Sequence, residues 1–108
     1  VFRDDWVKRV IQELATAIAA AVSRARAGGA DQALDELKKT GERELGMPRA
    51  TIDQLETKSV LLVLGKERTG VVITLLEGEA EVLDAAGRGA HAEQRRVRAR
   101  ELRRLTES

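Results

Sequence analysis

The chain has no cysteine, tyrosine or asparagine, a single histidine and a single proline, and only two aromatic residues, Phe2 and Trp6. Without cysteine, disulfides, thiolate metal sites and thiol nucleophiles are excluded together, and the composition fits a reducing, cytoplasmic compartment. With so few aromatics the core has to be built from Leu, Val, Ile and many Ala, and such small side chains favour closely packed helices. No apolar run approaches the roughly 20 residues of a membrane-spanning helix, so no membrane partner is expected. The opening "VFRDDWVKRV" lacks the basic-then-apolar order of a signal peptide. Because residue 1 is Val, a removed leader and a longer parent protein both stay open.

What is present suits one domain over residues 1–108, the size of a single small core. The net charge is only +1 but unevenly placed: residues 1–87 carry 12 basic and 15 acidic side chains, whereas residues 88–105 carry seven Arg and two Glu. A locally basic segment can face nucleic acid or an acidic partner, although a solvated helix face is the commoner meaning.

Apolar residues recur at helical spacing from Arg3 to Ala27, over an arc wide enough to touch at least two other helices. Gly28 and Gly29 stop that helix, and Asp31 lies in the first turn of a second one, over Ala30–Leu45. Within it, Gly41 shares the apolar face and points to close approach of the Ala-rich first helix. Pro48 breaks the chain, and "TIDQ" has capping-box spacing for a short helix beginning at Thr51. Residues 59–76 read as either a β-hairpin or a helix, and the face that continues through Leu83 favours helix. A last helix starts at Gly89 or Ala90 and runs to Leu105. The expected fold is therefore all-α, about five helices forming two antiparallel pairs joined by a short helical connector.

The spacing Ala21, Gly28, Ala33 recurs as Ala80, Gly87, Ala92, and small residues flanking a glycine turn resemble the tetratricopeptide repeat. Arg96 departs from that pattern, standing where a large apolar residue is usual. Over nearly the whole chain, "DDWVKRVIQELATAIA", "GGADQALDEL", "ELGMPRATIDQL" and "SVLLVL" resemble a bacterial family of small, all-helical, tetratricopeptide-repeat-like proteins of uncharacterised function. The resemblance implies an all-α fold and carries over no catalytic residues.

"AGGADQ" lacks the strand before it and the Lys-Ser/Thr after it that a phosphate loop needs, and "GKERTG" is followed by Val71 and Val72 where that loop needs Lys and a hydroxyl. His91, beside a glycine turn, reads as a helix-start residue rather than a base or ligand. The acidic residues of "EGEAEVLD" lack a metal-ligand pattern, so no catalytic site, cofactor or metal is expected. Trp6 is expected to close the end of the core with Phe2. Glu79 falls near the level of Arg95 and Arg98 once the last two helices fold back on each other, which marks a partly buried structural ion pair.

Arg96, Arg100, Arg103 and Arg104 form a basic face outside the apolar arc. These features suit a non-enzymatic protein-interaction or scaffold module, with an acidic segment of a protein as the expected partner. The alternative is non-specific nucleic-acid binding through the same arginines, without the aromatic residues that stack on bases. The wide apolar arcs leave a homodimer open.

Overall fold

A computed structural model describes the backbone of residues 2–108 and the side chains from Asp5 onward. Five helices follow one another: α1 (Phe2–Arg26), α2 (Ala30–Leu45), α3 (Arg49–Gln54), α4 (Thr57–Ala85) and α5 (Gly89–Glu107). No strand occurs among the described residues, so the hairpin alternative for residues 59–76 is not adopted. No helix among them is long and apolar enough to cross a membrane.

Two turns of one pattern join the paired helices. In the first, the Gly28 amide donates to Ala25 O at 3.1 Å and the Gly29 amide to Arg24 O at 2.8 Å. In the second, the Gly87 amide donates to Asp84 O at 3.0 Å and the Arg88 amide to Leu83 O at 2.8 Å. Each turn satisfies carbonyls that the helix end leaves orphaned, and each passes through a glycine at positive φ, +96° at Gly28 and +76° at Gly87. Ala21, Ala33, Ala80 and Ala92 are all buried, so the recurring small residues line the helix contacts on either side of both turns. The turns themselves meet, because Arg88 Nη1 donates to Asp31 Oδ1 at 2.6 Å.

The helix α4 is not one rod. A straight 29-residue helix would span about 43 Å, longer than the 38 Å long axis of the molecule. Gly65, at φ 83° and ψ 173°, breaks it and redirects the chain. The remainder of α4 runs through the centre of the fold and contacts α1, α2 and α5. Val71, Val72, Leu75, Leu76, Ala80, Val82 and Leu83 are buried there with Val10, Leu14 and Leu37.

Two local expectations are corrected. Gly41 makes room for α4 rather than α1: a Cβ on it would lie 2.5 Å from Leu75 Cδ1. The short helix begins at Arg49 with Pro48 as its N-cap and no side-chain cap, so the Thr51 box does not form. Proline pre-sets the backbone there, and a carboxylate from α2 takes the capping role, as the Arg49 amide donates to Glu42 Oε2 at 2.7 Å. Trp6 is half-buried against the edge of the core. Phe2, expected beside it, lies outside the residues whose side chains are described.

Candidate functional site

The connector α3 has six residues, too few for a helix to hold itself together. Charged groups from three other helices fix it. Glu42 of α2 caps its start. Arg98 of α5 closes its end, Nη2 donating to Ile52 O at 3.0 Å, which also accepts from the Leu55 amide at 3.2 Å, and to Leu55 O at 2.8 Å. Between these, Arg49 turns inward on the same face as Ile52, and both are buried.

Arg49 is used at all three nitrogens. Its Nε donates to Asp53 Oδ1 at 2.8 Å, Nη2 to Glu79 Oε1 at 2.8 Å, and Nη1 to Glu79 Oε2. The two-pronged grip on Glu79 is the geometry that makes Arg–carboxylate pairs strong. Burial works against the Arg49 charge, but hydrogen bonds and attraction from Glu79, then Asp53, outweigh it and raise its pKa above the ordinary guanidinium value. Glu79, fully buried, also accepts from Arg95 Nε at 3.0 Å.

The structure therefore joins Glu79 to Arg95 but not to Arg98, whose guanidinium goes to the α3 carbonyls. Arg49, the bidentate partner, went unrecognised in the sequence. Its signal was faint: Arg49 and Ile52 share the inner face of α3 at i, i+3 spacing, and a carboxylate as deep as Glu79 needs more than one cation.

Beside this cluster lies a cleft of about 210 Å³ lined by Arg49, Asp53, Leu76, Gln94, Arg95 and Arg98. Its walls hold three arginines and one carboxylate, Asp53; with Glu79, buried behind them and bonded to Arg49 and Arg95, the group carries an excess of one positive charge.

The outer basic face is different in kind. Arg96 pairs with Asp84, Arg103 donates to both oxygens of Glu77 at 2.9 Å, and Arg100 approaches Glu93 at 3.5 Å. Arg104 has no ion pair among the described residues. His91 is exposed at the start of α5. No three His, Asp or Glu side chains among the described residues come together in a way that could hold a metal ion. Among the described residues, the large apolar side chains left exposed are Leu62 at 84%, Val63 at 54% and Val97 at 41%.

Compared with known protein families, characterised proteins and solved structures, the chain matched none.

Proposed function

We propose that the chain is a non-enzymatic helical module for protein–protein interaction, tetratricopeptide-like in its pairing of helices, whose partner presents an acidic segment. One observation carries the reading: a solvent-open cleft between α3 and α5 with an excess of guanidinium charge, held in shape by a buried Arg49–Glu79–Arg95 cluster. Rigid side chains facing an open cleft bind with little ordering cost, the general advantage of a preorganised site. The recurring glycine turns and small-residue contacts support the repeat-like part of the proposal. A bacterial origin and a cytoplasmic location, suggested by the family resemblance and the lack of cysteine, belong to the same proposal.

Nucleic-acid binding through Arg96, Arg100, Arg103 and Arg104 has no comparable observation behind it, since three of the four already face carboxylates. Affinity capture from native lysate, with and without nuclease, separates the two readings. A stoichiometric protein that survives nuclease and is displaced by a polyglutamate peptide supports the interaction module. Recovery of nucleic acid alone, lost on nuclease treatment, overturns it.

A further inference from the structure

We infer that the cleft between α3 and α5 seats a single carboxylate, the side chain of an Asp or Glu in a partner protein, held by the unused edges of Arg95 and Arg98. This rests on the interaction reading above and names its point of attachment. A tally of donors locates the seat. Arg49 is engaged at every nitrogen, with three of its five N–H donors on Asp53 and Glu79. Arg95 bonds only through Nε, and Arg98 only through Nη2. Both Nη groups of Arg95 and the Nε and Nη1 of Arg98 therefore have no protein acceptor among the described residues. The two arginines stand at i, i+3 on α5, neighbours on one helix face, and both line the cleft.

Charge and size narrow the ligand. Asp53 and the buried Glu79 are taken up by Arg49, and Glu79 by Arg95 as well, so the three lining arginines together with these two carboxylates carry a net charge of one positive. One carboxylate balances that charge, whereas a phosphate ester, at about −1.5 to −2, overshoots it. The volume of about 210 Å³ is below the roughly 300–1,000 Å³ of small-molecule pockets, so it takes a side chain rather than a whole metabolite. Leu76 offers an apolar wall for the methylenes of that side chain, and planar guanidinium groups match the planar carboxylate.

The test is an NMR titration of the ¹⁵N-labelled protein with an acetylated, amidated pentapeptide bearing one glutamate among four glycines. Its glutamine counterpart, inorganic phosphate and a pentaglutamate are run in parallel. The glutamate peptide is expected to shift the Nε–Hε signals of Arg95 and Arg98 and the amide of Gln94, and the glutamine peptide to leave them in place. Gln94 is exposed and its side chain has no hydrogen bond among the described residues, so Gln94→Glu keeps the fold while cancelling the excess charge. It should weaken the peptide at least tenfold. Shifts confined to Arg96, Arg100 and Arg103 would overturn the cleft assignment and leave the interaction reading standing. Cleft shifts with phosphate but not with the glutamate peptide would overturn the carboxylate. No response even to pentaglutamate would overturn both.

Discussion

Arg49 on α3 grips both carboxylate oxygens of Glu79 on α4, 30 residues along the chain, in a site where the two side chains are 9% and 0% exposed. With Arg95 as the third member, the contact ties α3, α4 and α5 together at one point. Burying such charges costs several kcal/mol per ion before their attraction returns it, so a cluster like this fixes geometry more surely than it adds stability. The geometry fixed here is the floor of the arginine-lined cleft.

Gly65 gives the first expectation for substitution. Its φ of 83° with ψ of 173° lies in a region that only glycine occupies readily. A Cβ there would meet nothing within 4 Å, so Gly65→Ala introduces backbone strain without a clash. It should destabilise the fold by about 1–3 kcal/mol, measured by urea denaturation.

Gly78 is tight for the opposite reason. A Cβ on it would lie 2.5 Å from Ile18 Cγ1, and Ile18 is buried. Gly78→Ala gains up to about 1 kcal/mol of helix propensity but overpacks the α1–α4 contact by about 1–3 kcal/mol. The variant should be less stable than the wild type, and trimming the neighbour with Ile18→Ala should cost less in the Gly78→Ala background than alone.

Asp31 gives a pH signature. The hydrogen bond from Arg88, and then its charge, hold the Asp31 carboxyl below its ordinary value of 3.8. A depressed folded pKa means that the pair contributes to stability above the unfolded value and loses that contribution as pH falls through the folded one. Both side chains are exposed, so the effect should shrink with added salt. A ¹³C-detected titration should give Asp31 a midpoint below 3.8, and Arg88→Gln should return it to the ordinary range.

Much of the fold was legible because it depends on local signals. The helical period of α1, the bounds of α2 and the glycine turn after each first partner follow from spacing and backbone freedom alone. The α4 break was not legible: Gly65 lies in a stretch whose β-branched residues suit either strand or helix, and only packing decides that the chain turns there as a helix. Gly41 was read correctly as a close approach but assigned to the wrong neighbour, since a single helix face does not say which partner covers it. The site was half legible. Glu79 stood out as a carboxylate on an apolar face and Arg95 was at its level, whereas the roles of Arg49 and Arg98 depend on where α3 comes to rest.

The most direct test of the central claim, that the Arg49–Glu79 contact organises the cleft, is a double-mutant cycle by urea denaturation with Arg49→Met, Glu79→Leu and the pair. Each single change removes the two-pronged partner of a buried charge, leaving Glu79 with Arg95 alone or Arg49 with Asp53 alone, and should cost up to about 3–5 kcal/mol. Together they should cost clearly less than their sum, with a coupling energy of about 0.5–3 kcal/mol. Losses that add within about 0.5 kcal/mol would contradict the claim.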